Sequence, residues 1–145
     1  MQKTRSTTPC LGICSTTYGD DVCKGCKRFV HEIISWPKYS QDERALVNDR
    51  LEKFKVLILR DRFKVHDSDL FEIKLKEKAI NYNNSMDPLT WIFDLLRAAG
   101  SQNLDLEQFG ITSLKNYDSM KIRDEINKEF LDLSEAHHQR YFKKA

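Results

Sequence analysis

Residues 9–26 read PCLGICSTTYGDDVCKGC and hold all four cysteines of this 145-residue chain. Their spacing is Cys10-x3-Cys14-x8-Cys23-x2-Cys26. Two close pairs joined by a short loop suit a tetrahedral all-thiolate site, because each pair brings two sulfurs from one tight turn. Gly12 and Gly25 lie within the pairs, where backbone wrapped around sulfur calls for the positive φ that glycine adopts without steric cost. Gly19-Asp20-Asp21 marks a turn, with Tyr18 and Val22 flanking a short hairpin. After Cys26 the periodicity becomes helical. Phe29, Val30, Ile33 and Ile34 form one apolar face, and Trp36-Pro37 ends it. The stretch therefore predicts a small zinc-knuckle, treble-clef-like module over residues 1–38, with Cys10, Cys14, Cys23 and Cys26 as ligands.

Metal is expected here rather than disulfides. The opening MQKTRSTTPC has no apolar signal segment, so a cytoplasmic, reducing location is expected, where structural disulfides are uncommon. The 3-8-2 spacing matches neither of the usual ferredoxin runs, so spacing favours zinc, with an iron–sulfur cluster as the alternative. Lys24, Lys27 and Arg28 are expected to offset thiolate charge rather than to form a basic contact surface. His31, five residues after Cys26, is expected on the helix surface, since four thiolates already close a tetrahedron.

A set of ordered motifs surrounds these cysteines: Pro9-Cys10-x-Gly12-x-Cys14, Cys23-x-Gly25-Cys26, Glu32-Ile33-x-x-Trp36 and Ser40-x-x-Glu43-Arg44. Over residues 9–55 they resemble the YdhL-like family, short bacterial proteins of unknown function catalogued as predicted iron–sulfur proteins. The resemblance implies a cysteine-bound metal centre in a bacterial cytoplasmic protein. It moves the balance between zinc and a cluster only towards even, and it implies no reaction.

Beyond this module the pattern is mainly α. Ser40-Gln41-Asp42-Glu43 is a capping box, opening a helix to about Leu59 with Leu46, Val47, Leu51, Phe54 and Ile58 at helical spacing. Phe63–Val65 alternates like a short strand, expected to pair with Ala79–Tyr82 in a small two-stranded element. Between them a helix is favoured over a hairpin, with Asp67-Ser68-Asp69 offering an N-cap or a turn. Asp87-Pro88 gives a cap followed by proline at the first helical position, opening an apolar helix that Gly100 closes. Trp91 within it reads as a core anchor. Residues 39–100 thus form a helical core and 101–145 a linker plus a long amphipathic helix. The linker carries a turn of helix at Leu104–Phe109, and Asp118 or Ser119 caps the helix. Its stripe of Ile122, Ile126, Phe130, Leu133, His137 and Tyr141 is expected to complete the core, the alternative being a protruding partner-docking helix.

Charged residues at 32% and hydrophobic ones at 40% fit a globular chain rather than a disordered one. The longest apolar run, VLILR, is too short to span a bilayer. Residues 1–60 carry eleven lysines and arginines against seven acids, and residues 61–145 carry thirteen against fifteen. That balance leaves no strong footprint for nucleic acid, so a nucleic-acid-binding zinc module is the weakest alternative. No nucleophile–base arrangement, phosphate loop or zincin motif is present. His137 and His138 are adjacent, expected on different helix faces, and His66 with Asp67 and Asp69 reads as a solvated turn. The sequence therefore predicts a non-enzymatic, metal-stapled interaction protein. Its expected role is a regulator docking on a machine such as RNA polymerase, as a transcription factor, or the ribosome. An iron–sulfur redox or cluster-carrying protein is the alternative.

Overall fold

The computed structural model describes residues 21–142 apart from 25, 101 and 103. Within them the chain is mainly helical, with one two-stranded sheet. α1 spans Val30–Ser35 and runs into a 3-10 turn at Trp36–Lys38. α2 spans Gln41–Leu59, β1 Phe63–Val65 and α3 Ser68–Glu77. A 3-10 turn at Pro88–Thr90 leads into α4, Trp91–Ala99. A third, at Leu106–Phe109, precedes β2, Ile111–Ser113, and α5 spans Ile122–Tyr141.

Local capping chemistry sets most helix starts. Ser40 Oγ accepts from Glu43 N–H at 3.1 Å while Glu43 Oε1 accepts from Ser40 N–H at 2.9 Å, the capping box read from the sequence. Asp67 caps α3 through Leu70 N–H at 3.0 Å. Asp87 accepts from Leu89 N–H at 2.9 Å ahead of Pro88, and Gly100 closes α4 at φ 65°. α5 starts three residues later than Ser119. Asp118 instead organises the preceding turn, its side chain accepting from Met120 N–H and its carbonyl from Lys121 and Ile122.

Three expected core positions lie in solvent: Ile34, Leu46 and, at the end of the α5 stripe, Tyr141. Leu46 is 70% exposed, because the stripe Val47–Leu51–Phe54–Ile58 runs about 100° of helix rotation away from it. Ile34 is 72% exposed, and α1 buries Glu32 on the side turned to α2. Trp91 is the buried anchor its position implied. Its indole N–H donates to the Asn83 carbonyl at 2.8 Å, and the ring packs edge-on against Tyr82 at 4.9 Å and Phe71 at 5.6 Å.

The small sheet has a different second strand from the expected Ala79–Tyr82. β1 pairs antiparallel with β2, with Phe63 opposite Ser113 and Val65 opposite Ile111. Residues 79–82 do not extend because they finish α3. Ala79 takes φ 55°, its N–H bonds the Lys76 carbonyl at 3.1 Å, and Ile80 N–H bonds the Leu75 carbonyl at 2.9 Å. This is a Schellman cap with alanine where glycine is usual. At the head of β2, Gly110 has φ 75° and its carbonyl accepts from His66 and Asp67 N–H. A Cβ there would press on the Asp67 backbone oxygen.

The stripe of α5 completes the core. Ile122, Ile126 and Phe130 are buried together with Leu51, Leu59, Ile92 and Leu95. The same cluster includes Trp36 from the 3-10 turn after α1 and Phe109 and Ile111 from the segment before α5. Since Ala79 bears a left-handed penalty, Ala79→Gly should raise stability by about 0.5–1 kcal/mol. An increase in urea midpoint at unchanged m-value is the expected reading, and a decrease would refute the cap.

Candidate metal centre at the thiol turn

Cys23 and Cys26 are both buried, with exposures of 1% and 6%. One hydrogen-bonded turn holds them. Lys27 N–H donates to the Cys23 carbonyl at 2.9 Å, and Cys23 N–H donates to the Arg28 carbonyl at 2.9 Å. Val22 forms an antiparallel bridge with Phe29, and Val30 N–H donates to the Asp21 carbonyl at 2.9 Å. The expected hairpin partner of Val22, Tyr18, lies outside the described residues, as do Gly12, Gly25, Cys10 and Cys14. A positive φ in this turn falls on Lys27, at 68°. A lysine held there marks a backbone whose path is set by its surroundings.

Two cations flank the thiols. Arg28 Nε donates to Cys26 Sγ at 3.3 Å while its guanidinium lies 4.8 Å from the Trp36 ring centre. Burial pushes the Cys26 thiol up, and the Arg28 hydrogen bond and charge oppose that rise. Lys27 is fully buried, and its ammonium donates to the Lys24 carbonyl and, at 2.6 Å, to Asn127 Oδ1 on α5. Burial lowers its pKa to about 8, with the neighbouring Cys23 and Cys26 charges pulling it back up. Charge-assisted donors beside buried sulfur favour thiolate, the form in which cysteine binds metal. Cys23 and Cys26 therefore fit half of a four-thiolate zinc or cluster site, and Arg28 and Lys27 would balance its negative charge.

The turn is braced on both sides. Glu32 receives Arg50 of α2 bidentately, at 2.6 and 2.8 Å, and also accepts from Phe29 N–H at 2.8 Å. The Arg50 guanidinium lies 4.1 Å from the Phe29 ring centre. On the other side Phe29 meets the end of α5: His137 stacks at 5.9 Å and His138 and Phe142 approach edge-on at 4.8 and 5.3 Å. The two adjacent histidines thus share one aromatic neighbour instead of serving separate surroundings. His31 is exposed, 5.1 Å from the Phe142 ring. His66 sits apart, with Nε2 3.3 Å from Glu107 Oε2. Among the described residues no group of three or more metal-ligating side chains forms.

Sequence reasoning singled out Cys23, Cys26, Lys27 and Arg28, which the structure brings together, but missed Glu32, Arg50 and the Phe29 ring cluster. Glu32 and Arg50 lie eighteen residues apart on different helices. The only signal was an acid placed on the helix face turned to the next helix. A trough of about 650 Å³ between α2 and α5 is lined by Leu57, Leu133 and Ala136, and its cation Arg62 is held by Glu125 and Glu129.

The thiol turn and its brace from Arg50 lie within the one segment that matches a family model. Residues 8–55 match DUF1289, a protein family of unknown function. The DUF1289 segment takes in all four cysteines, α1 and most of α2, the span on which the sequence resemblance rests. No curated protein and no solved structure matches the chain. No helix among the described residues is long and apolar enough to cross a membrane.

Two predictions follow from the bracing. Glu32→Ala leaves Arg50 buried beside Phe29 without its carboxylate and should cost about 3–5 kcal/mol in urea denaturation. Replacing both partners by apolar side chains should cost less than this single change; an equal or larger loss would refute the pairing argument. His137 is held below its usual 6.5 by burial first and by Arg50 next, with Glu32 opposing and His138 adding to the lowering. A lowered folded-state pKa means that the unfolded chain takes up protons first as pH falls. The contribution is therefore complete above the unfolded value and lost as pH drops from there through the folded value. The unfolding midpoint should fall as pH is lowered through 6.5, and His137→Gln should flatten that slope.

Proposed function

We propose that this protein is a non-enzymatic interaction module whose DUF1289 segment is stapled by one metal ion on Cys10, Cys14, Cys23 and Cys26. Zinc is the preferred ion. The observation that carries the reading is the pair of buried thiols on one hydrogen-bonded turn, with Arg28 donating to sulfur and Lys27 buried beside them. Buried thiols braced in this way suit a structural metal that contributes folding free energy.

The apolar stripe of α5 is used in the core, so the contact surface is placed on the segment itself. Ile34 and Leu46 offer large apolar side chains to solvent from α1 and α2. Their exposure supports docking on a protein partner. A component of RNA polymerase or the ribosome is the kind of partner proposed, by analogy with the small zinc modules of such assemblies.

Anaerobically purified protein tests the reading. One zinc per chain in a colourless preparation is expected, together with a stoichiometric protein partner captured from lysate and lost in Ile34→Glu/Leu46→Glu. Brown protein with iron and labile sulfide would replace zinc by a cluster. Protein without metal, or a partner indifferent to both substitutions, would overturn the reading.

A further inference from the structure

α5 is anchored in two different ways along its length. Ile122, Ile126 and Phe130 are buried in the main core. The last turns depend on another neighbour, Phe29, against which His137, His138 and Phe142 pack. Phe29 lies three residues after Cys26, held from the thiol turn by the bridge to Val22 and from the helical side by Glu32, which accepts from its N–H, and by the Arg50 guanidinium over its ring. A further link, Lys27 to Asn127, comes from the same turn. The turn's hold on α5 thus comes through residues immediately following a metal-ligating cysteine.

We propose that the thiol turn is a metal-operated latch on the last two turns of α5, a device that rests on the metal-binding role proposed above. Among the described residues, few apolar side chains of the turn itself are available to sustain it without metal. Val22 and Phe29 are its buried hydrophobes besides the cysteines, and Lys27 holds a left-handed backbone within it. Metal binding stabilises the turn, the turn positions Phe29, and Phe29 docks residues 134–142. Loss of metal releases that end while Ile122, Ile126 and Phe130 keep the first half in place. Release uncovers Phe54 of α2, whose ring lies 5.6 Å from that of His137. The coupling is reciprocal, so undocking the helix end weakens metal binding. The metal state of the segment is then read out as a change in surface on the helical body.

Hydrogen exchange followed by mass spectrometry on the full chain tests the latch, comparing metal-loaded protein with protein chelated under anaerobic, reducing conditions. Amides of residues 134–142 should exchange at least about tenfold faster after chelation, and those of 122–130 less than about threefold faster. Metal-loaded Phe29→Ala should show the same release of 134–142 while retaining its metal. Phe142→Ala, a half-exposed site that spares the fold, should give a smaller release of the same amides. Unchanged exchange at 134–142 on metal loss, or opening of 122–142 as one block, overturns the latch. Metal content separates the two failures: protein that binds no metal removes the proposed function along with the latch, whereas metal-binding protein with an unresponsive helix end removes the latch alone.

Discussion

Arg50 and Glu32 meet bidentately inside the protein, and the seating of the thiol turn on the helical body depends on that pair. Moving a carboxylate and a guanidinium out of water is costly, and their mutual attraction repays it only when geometry and hydrogen bonding are good. Here both carboxylate oxygens are used, one of them twice, because Phe29 N–H donates to the oxygen that also receives Arg50 Nη2. The pair therefore fixes the register of residues 29–32 against α2 as well as their distance from it. Apolar contact alone would tolerate sliding; a bidentate pair does not.

That register carries consequences in both directions along the chain. Toward the N-terminus it fixes Phe29, the bridge to Val22 and the turn that presents Cys23 and Cys26. Toward the C-terminus it sets Trp36, which stacks under Arg28 on one side and joins the main core on the other. Arg44 ties the same corner again, its guanidinium donating to the Trp36 carbonyl at 2.9 and 3.2 Å. A segment with little core of its own is thus held by charge and ring contacts to its neighbour.

Features written locally were legible in the sequence, and features that needed a distant partner were not. The Ser40–Glu43 box, the Asp87-Pro88 start and the Gly100 stop each depend on residues a few positions apart, so they could be read directly. β2 could not: its three residues, Ile111–Ser113, gain their identity as a strand from β1, and their own pattern is too short to show it. The strand expected at Ala79–Tyr82 as a partner for Phe63–Val65 does not form, because the hydrogen-bonding needs of the end of α3 set the backbone of Ala79. For the candidate centre, Cys23, Cys26, Lys27 and Arg28 could be singled out directly, because they lie on one short turn. The burial of Glu32 was hidden, since an acid on a helix reads as solvated until its partner helix is placed beside it.

The β1–β2 pair is only three residues long on each side, yet it joins positions flanking residues 66–110. Closing such a span costs chain entropy before any ladder bond forms, and the cost is met only once the intervening chain has collapsed. α3 and α4 must therefore be largely assembled around Trp91, Tyr82 and Phe71 when the strands meet. The sheet is then a late clasp rather than a template, and it holds side by side the two ends of a span whose α4 packs in the main core. Exposed turns within that span can vary in length without disturbing the thiol turn, because its ends are already fixed beside each other.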